Sequence, residues 1–373
     1  MQAIAAIHAD IVGSLLRPPD LVRAREDLAA GRIPPAAFKA IEDRAVDAAI
    51  VLQEEAGLEV VTDGELRRLS FQSQLAEAVE GFGTWAIDAF LWGDWRGDDT
   101  VGDSRTERPE DLGVVSKLRR KRHLSGEELA YLRARTRRIP KITLPSPSLW
   151  ANFWSAERSR EAYPTLDSFL ADVVAILRDE VAELIRLGAT YIQLDAPHYP
   201  LLLDPRTRAF YERQGWAVDR WLARGIELDN AVIGDFPGVT FGFHLCRGNQ
   251  ASRWLAEGGY QLIARPIFTG IRAQRLLLEY DNQRSGSFEP LKLVPDDKTV
   301  VLGLVTTKSP RLETREGLIA RIQQASRFVP RDRLALSPQC GFASSIVGNR
   351  ISPEDQARKL RVVVETARAV WGQ

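Results

Sequence analysis

Two cysteines, one histidine and one glutamate have the residue types and surroundings of a metal-ligand set. The 373-residue chain contains two cysteines: Cys246 lies two positions after His244, and Cys340 follows a later apolar run. Glu279 lies between them, at the end of another apolar run. One imidazole, two thiolates and one carboxylate form a tetrahedral set for Zn²⁺, which would activate a thiol as a nucleophile. The alternative is that both cysteines are buried core thiols and His244 makes a structural hydrogen bond.

The composition predicts a soluble enzyme with a large core. Hydrophobic residues make up 45%, and 50 Lys and Arg balance 50 Asp and Glu, so the formal net charge is zero. This balance argues against nucleic-acid and membrane-surface binding. No apolar stretch reaches the ~18 residues of a membrane helix, and the N-terminus lacks the basic region of a signal peptide. Since two cysteines give no sign of an oxidising compartment, we expect a cytoplasmic protein.

Short apolar runs alternate with amphipathic helical patterns, which predicts an α/β fold with a parallel sheet. The eight predicted strands are Ile7–Ser14, Glu59–Asp63, Lys141–Leu144, Tyr191–Asp195, Val239–His244, Arg275–Glu279, Val300–Val305 and Arg333–Leu336. The helical patterns between them include Phe38–Glu55, Ser168–Leu187, Arg247–Ala256 and Pro353–Ala369.

Eight strands in a chain of this length indicate a single (β/α)8 TIM barrel over residues 1–373. Polar residues follow nearly every predicted strand, and the carboxyl ends of barrel strands meet on one face, where active sites lie. Cys246 and Cys340 can therefore ligate one ion although they are far apart in sequence. Residues 83–138 form a long insertion between the second and third strands, which we expect to act as a lid. Its basic run Lys117–Arg122 is either a grip for an anionic substrate tail or a solvated face.

The residues at these strand ends resemble the catalytic C-terminal barrel of the cobalamin-independent methionine synthases. The similar stretches run almost end to end: Val12-Gly13-Ser14-Leu15-Leu16-Arg17-Pro18, Thr62-Asp63-Gly64-Glu65, Ile192-Gln193-Leu194-Asp195-Ala196-Pro197, His244-Leu245-Cys246, Glu279, Leu302-Gly303-Leu304 and Pro338-Gln339-Cys340-Gly341. The resemblance implies a barrel in which His244, Cys246, Glu279 and Cys340 hold zinc. It also implies the shorter, single-barrel branch, which includes the epoxyalkane:coenzyme M transferases.

The resemblance further implies a site for a thiol amino acid. Glu65 and Asp195 match the acids that hold the amino group of homocysteine in the family, and Ser14 belongs to a turn that holds its carboxylate. The alternative for Glu65 is capping of the next helix, where acidic residues are favoured. Arg17 is either an anion contact or a surface charge, and Trp150 is either a wall for a planar ligand or a core aromatic.

His198 and Lys308 are the candidate catalytic residues outside the ligand set. His198 follows the fourth strand and is either an acid or base or a structural hydrogen-bonding group. Lys308 stands where the family has a histidine implicated in proton delivery. The other departures from the family are Ala196 for an acid, Gln339 for an Asp, and Ala343-Ser344-Ser345 for Lys-Thr-Arg. Methyl transfer from a folate must protonate a poor amine leaving group, so these departures concern the donor side.

The leading hypothesis is a zinc-dependent transferase that alkylates a zinc-bound thiol, with methyl transfer to homocysteine as the specific reaction. Its partners would be a small thiol and a methyl or alkyl donor, and the sequence is compatible with a homo-oligomer. A second hypothesis is addition of a non-amino-acid thiol to an epoxide, and a third is a non-catalytic zinc-binding barrel. Glu65 and Asp195 favour the first, whereas Ala196, Lys308 and Gln339 favour the second.

Overall fold

A computed structural model describes residues 4–83, 92–108, 112–213 and 217–372 of the chain. Within these ranges the strands are β1 (Val60–Val61), β2 (Val79–Phe82), β3 (Gly93–Trp95), β4 (Ser104–Thr106), β5 (Val114–Arg120), β6 (Ile139–Pro145), β7 (Tyr191–Asp195), β8 (Thr240–Leu245), β9 (Arg275–Glu279), β10 (Thr299–Val305) and β11 (Leu334–Pro338). The helices are α1 (Pro19–Ala29), α2 (Pro35–Ala56), α3 (Ser73–Ala78), α4 (Gly126–Arg135), α5 (Leu166–Arg186), α6 (His198–Leu201), α7 (Pro205–Arg213), α8 (Val218–Ile233), α9 (Gln261–Gly270), α10 (Arg315–Ala325) and α11 (Pro353–Trp371).

Within the described ranges, seven parallel strands form one curled sheet in the order β1-β6-β7-β8-β9-β10-β11. This order follows the chain, and helices lie between most neighbouring strands, as in repeated βαβ units. Strands β7, β9, β10 and β11 are buried at every residue, as expected for a sheet covered by helices on one face and curled around its own interior on the other. The predicted α/β fold with a parallel sheet is confirmed.

The first predicted strand, Ile7–Ser14, does not form a regular strand. Among the described residues it pairs with β11 only where Ala9 lies opposite Leu336. Backbone hydrogen bonds from Asp10 to Leu336 and from Leu15 to Gly64, both 2.9 Å, place the segment between β11 and β1.

Side chains take the carbonyls that a ladder would need in this segment. Ile11 accepts a hydrogen bond from Lys141, Val12 accepts one from Gln193, and Gly13 accepts one from Thr62. These carbonyls bond side chains instead of the backbone of a neighbouring strand, so residues 11–13 lack the ladder of a regular strand.

The helices begin and end where the local chemistry requires. The side chain of Ser352 accepts a hydrogen bond from the backbone of Asp355 at the start of α11, in a reciprocal capping box. The predicted helix Arg247–Ala256 is wrong, since Ala251 and Ser252 have φ angles of +47° and +66°, outside the helical region. The helix after β8 is α9, which begins further along the chain. No helix among the described residues is both long and apolar enough to span a membrane.

The described parts of residues 83–138 contain two small antiparallel sheets. Strands β2 and β5 form one, and β3 and β4 form a hairpin. The hairpin docks onto residues 250–257: Arg96 and Trp254 exchange backbone hydrogen bonds of 2.7 and 2.9 Å, and Arg253 donates to the carbonyls of Val101 and Gly102. Most of the basic run has acidic neighbours, the ion pairs being Lys117–Asp172, Arg119–Glu80, Arg120–Asp179 and Arg122–Glu77.

Candidate metal centre and active site

Four side chains that could hold a metal ion meet at the carboxyl ends of the sheet strands. His244 is the penultimate residue of strand β8, Cys246 follows that strand, Glu279 ends β9, and Cys340 follows β11. One donor atom from each lies within 4.8 Å of the donor atoms of the other three, and all four residues are buried. The parallel order of the strands explains this meeting, because residues at corresponding ends of a curled sheet converge on one region.

His244 presents one ring nitrogen to this cluster. Its Nδ1 atom lies 3.3 Å from the backbone oxygen of Leu277, an acceptor, so Nδ1 carries the hydrogen in the neutral ring. Its Nε2 atom is buried and has no hydrogen-bond partner among the described residues. A buried imidazole with one nitrogen fixed by a carbonyl and the other left as a lone-pair donor is the arrangement of a metal-ligating histidine.

The two sulfur atoms lie within hydrogen-bonding distance of each other. Cys246 Sγ and Cys340 Sγ are 3.3 Å apart. Their hydrogen bond holds the pKa of Cys340 well below the usual thiol value and raises the pKa of Cys246 well above it. The thiolate is the form of cysteine that binds a metal ion, so the lowered pKa of Cys340 suits it to be a ligand.

Two cationic side chains keep Glu279 ionised. Its Oε1 atom accepts a 2.8 Å hydrogen bond from the backbone N–H of Arg247, and Oε2 lies 2.9 Å from Arg284 Nη2. Burial alone would raise the pKa of Glu279, but the charges of Lys308 and Arg284 outweigh burial and lower it. The donor set is therefore one imidazole nitrogen, one carboxylate and two sulfurs, which fits a borderline-soft ion such as Zn²⁺.

A cavity of about 460 Å³ opens above this centre. His244, Cys246 and Cys340 line its floor, and the β3–β4 hairpin lies along one side. Its apolar wall residues are Phe71, Trp92, Trp95, Leu149, Phe153, Leu201 and Leu255. Besides Glu65 and Asp195, the charged residues of its lining are Asp94, Arg105, Glu107, Arg108, Asp204 and Arg213. The cavity is of the size that holds small-molecule ligands, and its polar floor and apolar walls suit a short polar substrate.

Ser14, Glu65 and Asp195 line the same cavity beside the sulfurs. Glu65 has a left-handed φ of +54°, which an Asp63 carboxylate supports by accepting its backbone N–H at 2.9 Å. Glu65 Oε1 accepts a 2.6 Å hydrogen bond from Thr143, whereas Oε2 is buried without a hydrogen-bond partner among the described residues. Because the side chain is committed on one oxygen only, the other is available to a ligand.

Asp195 is buried with an elevated affinity for its proton. Its Oδ1 atom accepts a 2.8 Å hydrogen bond from Gln193. Burial, with help from the charge of Glu65, raises the pKa of Asp195 to about 7. A cationic group placed between the two carboxylates would relieve their repulsion, so this part of the cavity favours an ammonium group.

Arg17 and Trp150 are not among the residues that line the cavity. The Arg17 guanidinium donates to the backbone carbonyls of Glu65, Arg68, Ala343 and Ser345, at 2.7 to 3.3 Å. It thus ties the loop after β1 to the loop after β11, which carry Glu65 and Cys340. Trp150 is fully buried and packs against Phe82 and Phe153 in the core.

His198 and Lys308 are buried near the site but are not among the residues that line the cavity. Ser148 Oγ lies 2.8 Å from His198 Nε2, and burial lowers the pKa of His198 to about 3, so its ring stays neutral. Lys308 Nζ donates a 2.9 Å hydrogen bond to Asn249 Oδ1. Lys308 is therefore a fixed charge beside the centre, one side chain away from the cavity.

Three residues of the site were given no role in the sequence analysis. Asn249 and Ser344 line the cavity, and Gly341 follows Cys340. A Cβ atom at Gly341 would lie 1.9 Å from Ser14 Oγ, so only glycine lets the Cys340 loop approach the Ser14 turn. The sequence signal for Asn249 is its place three residues after Cys246, in a turn where Gly248 has a φ of +92°.

Comparisons with known proteins identify the family of this chain. The model of the family described as "Cobalamin-independent synthase, Catalytic domain" matches residues 8–368. YxjH of Bacillus subtilis (strain 168), an uncharacterized protein, is 33% identical over 99% of this chain and 96% of its own length. A methionine synthase of Pyrococcus abyssi is 26% identical over 96% and 92% of the two chains. A solved structure from Listeria monocytogenes, assigned as a vitamin-B12 independent methionine synthase, is 27% identical, covers 100% of both chains and superposes with a TM-score of 0.74.

Proposed function

Since the chain belongs to the cobalamin-independent synthase family, through that family's catalytic domain, we propose that it is a zinc-dependent transferase that methylates the thiol of homocysteine. One observation carries the proposal: the four donor atoms, within 4.8 Å of one another, lie beside a cavity whose carboxylates are suited to an ammonium group. Binding of Zn²⁺ at this centre would supply a coordinated, deprotonated substrate sulfur at neutral pH.

The residues around the centre would bind and orient the amino-acid part of the thiol. Glu65 Oε2 and the Asp195 carboxylate would accept hydrogen bonds from the ammonium group, which would also lower the raised pKa of Asp195. Ser14 lines the cavity beside Gly341, where its hydroxyl is available to the substrate carboxylate. The apolar walls would exclude water from the sulfur, which strengthens the charged contacts.

The same carboxylates argue against the epoxide hypothesis with coenzyme M as the thiol. Coenzyme M carries a sulfonate and no ammonium group, so Glu65 and Asp195 would repel it at this position. The methyl donor would enter below the β3–β4 hairpin, along the apolar walls. Lys308 does not line the cavity, so we propose that it acts on the centre through its charge and through Asn249 instead of delivering a proton to the donor.

We also propose that residues 1–373 form one closed (β/α)8 barrel. The segment at residues 8–15 would take the eighth strand position in the barrel wall. Its backbone hydrogen bonds to Leu336 and Gly64 support this placement. The described parts of residues 83–138 would be the lid. A cytoplasmic location suits the proposed centre, because reduced thiols persist in that compartment.

Zinc stoichiometry followed by X-ray absorption tests the proposal. We expect one zinc per chain with two sulfur ligands, and a third sulfur after addition of homocysteine but not of coenzyme M. His244→Gln should lose zinc, whereas the control His198→Gln, which changes a histidine buried nearby, should keep it. Cys340→Ser should lose zinc and turnover. A Cys340→Ser variant that keeps both, or a shell unchanged by homocysteine, would contradict the proposal.

A further inference from the structure

Ser344 lies next to the sulfur of Cys340 on the cavity side of the centre. Ser344 Oγ is 3.6 Å from Cys340 Sγ and 3.2 Å from Asn249 Nδ2. All three residues line the cavity. A hydroxyl between an amide and a sulfur can donate its single hydrogen to only one neighbour, so its function depends on which way the amide faces.

The orientation of the Asn249 amide is fixed by neighbours that can only donate or only accept. Its oxygen receives a 2.9 Å hydrogen bond from Lys308 Nζ, and an ammonium group has no lone pair with which to accept. Its nitrogen donates a 2.6 Å hydrogen bond to the backbone carbonyl of Gly341, which has no hydrogen to give. The nitrogen of Asn249 therefore faces Ser344.

Asn349 fixes the same orientation from a second direction. Its own oxygen accepts the backbone N–H of Ser252 at 2.8 Å, so its nitrogen faces Asn249 and the carbonyl of Thr307, each at 2.9 Å. The Asn249 oxygen thus has two donors around it. Flipping the Asn249 amide would place N–H groups against N–H groups at Lys308 and Asn349, and two carbonyl oxygens against each other at Gly341.

Because Ser344 Oγ already accepts from Asn249, its hydrogen is left for the sulfur. We propose that Ser344 is a positioning residue that donates a hydrogen bond to the Cys340 thiolate, with its direction set by Lys308 and Asn249. This inference rests on the proposed metal centre. Such a hydrogen bond withdraws electron density from the ligand sulfur, so the bound metal holds an incoming thiolate more tightly and that thiolate is a weaker nucleophile.

Co²⁺ substitution measures this hydrogen bond without any turnover. Removing a donor from a thiolate raises the energy of its sulfur electrons, so Ser344→Ala should move the sulfur-to-cobalt charge-transfer band to longer wavelength. Ser344→Thr, which keeps the hydroxyl, should restore the wild-type band. The matched control is Ser345→Ala, since the Ser345 hydroxyl accepts from the backbone of Val347 and should leave the band in place.

The hydrogen bonds from Lys308 to Asn249, from Asn249 to Ser344 and from Ser344 to Cys340 form a relay. Asn249→Asp tests its direction. An aspartate in this place offers two acceptors, so the Ser344 hydrogen should turn away from Cys340 and the band should shift as in Ser344→Ala. In the double variant the two changes should not add, because both remove the same hydrogen bond. A shift in Asn249→Asp that is fully retained on top of Ser344→Ala would assign the effect to the new charge and overturn the relay.

Alkylation of the metal-bound protein by iodoacetamide provides a second readout. Hydrogen bonds to charged groups contribute about 1.5–3 kcal/mol, so Ser344→Ala should speed modification of Cys340 by roughly tenfold or more. Failure of wild-type protein to bind one Co²⁺ would overturn the proposed metal centre. Stoichiometric Co²⁺ with an unmoved band and an unchanged alkylation rate in Ser344→Ala would overturn this inference alone.

Discussion

The two ends of the sheet interior both bury charged groups but satisfy them differently. At the amino ends of the strands, Asp10 uses both carboxylate oxygens, at 2.9 Å to Lys141 and at 2.7 and 3.1 Å to Tyr191 and Arg275. Lys141 also donates to Gln193 at 2.9 Å. This network holds the segment at residues 8–15 against β6, β7 and β9, and so replaces the strand ladder that the segment lacks.

At the carboxyl ends, equally buried groups keep one atom without a hydrogen-bond partner among the described residues. Examples are Glu65 Oε2, Asp63 Oδ2 and His244 Nε2. Burying a polar atom without a partner is costly, so these atoms persist where a ligand is to complete them. Burial therefore does not distinguish the proposed active end from the structural end. Acceptor atoms without a partner do, since the atom left without one among the described residues of the Asp10 network is a donor, Arg275 Nε. Gln193 joins the two ends, because its amide contacts both Lys141 and Asp195.

The largest expected effect is on stability, from breaking the closed network. Asp10→Asn leaves the buried cations Lys141 and Arg275 without their carboxylate, so we expect a loss of about 3–5 kcal/mol in the free energy of unfolding. Urea unfolding measures this. The control Asp296→Asn changes an exposed partner of Arg333, 2.8 Å away, and should cost less than about 1 kcal/mol. If Asp10→Asn and Asp296→Asn lowered the free energy of unfolding equally, the network around Asp10 would not be a stabilising feature of the amino ends.

The second expected effect is on activity, from the open end. Glu65→Gln keeps the shape but removes the charge proposed to bind the ammonium group. We expect homocysteine kcat/KM to fall roughly a hundredfold, about 3 kcal/mol, with little change in unfolding free energy. The matched control is Glu42→Gln: Glu42 is buried against Arg67, 2.6 Å away, and is not among the residues that line the cavity. It should lose stability and keep kcat/KM.

The third prediction compares the two ends by their response to pH. The charges of Lys141 and Arg275 outweigh burial and lower the pKa of Asp10, whereas burial raises the pKa of Asp195 to about 7. Ionised Asp10 therefore stabilises the fold at pH values above the pKa that aspartate has in the unfolded chain. This stabilisation is lost as the pH falls through the lowered pKa of Asp10 in the folded protein. Asp195 does the opposite, since the folded protein holds its proton more tightly than the unfolded chain, where Asp titrates near ~3.9.

The contribution of Asp195 to stability is present at low pH and is lost as the pH rises through about 7. In metal-free protein we expect a loss of roughly 2 kcal/mol between pH 5 and 7, which Asp195→Asn should remove. Urea unfolding at several pH values is the measurement. A slope that persists unchanged in Asp195→Asn would contradict the assignment.

The ligand positions could be predicted from sequence because each depends on one short, buried strand. Tyr191–Asp195 and Arg275–Glu279 are strands with the predicted bounds. Once a strand's end is known, its last residue is placed at the carboxyl-end face of the sheet. The family assignment also followed from these strand ends and is confirmed by the match over residues 8–368. The roles of Ser14, Glu65 and Asp195 toward a substrate stay predictions.

Features that depend on contacts between distant loops could not be predicted. In the predicted strand Ile7–Ser14, the carbonyls of residues 11–13 bond side chains from three other segments instead of a strand backbone. Arg17 becomes a clamp because its acceptors are backbone carbonyls near residues 65–68 and 343–345, which carry no side-chain signature. The helix expected at Arg247–Ala256 is replaced by a turn with two left-handed residues, where the β3–β4 hairpin docks.

The smallest expected effect concerns the β3–β4 hairpin, and it separates the rim of the cavity from its floor. Arg253 donates to the carbonyls of Val101 and Gly102 at 2.7 and 2.8 Å, which holds the β3–β4 hairpin against the loop after Cys246. In Arg253→Ala these hydrogen bonds are lost while the floor residues keep theirs. We expect the KM of the methyl donor to rise roughly fivefold, about 1 kcal/mol, with zinc content and homocysteine binding unchanged.

Steady-state kinetics with each substrate varied in turn measures this split. The control Arg272→Ala removes an exposed arginine, 3.6 Å from Asp235 and not among the cavity-lining residues, and should change neither KM. If Arg253→Ala weakens homocysteine binding as much as donor binding, the hairpin supports the floor as well as the rim, and the donor does not enter beneath it. An effect confined to the donor would place its path between the hairpin and the apolar walls.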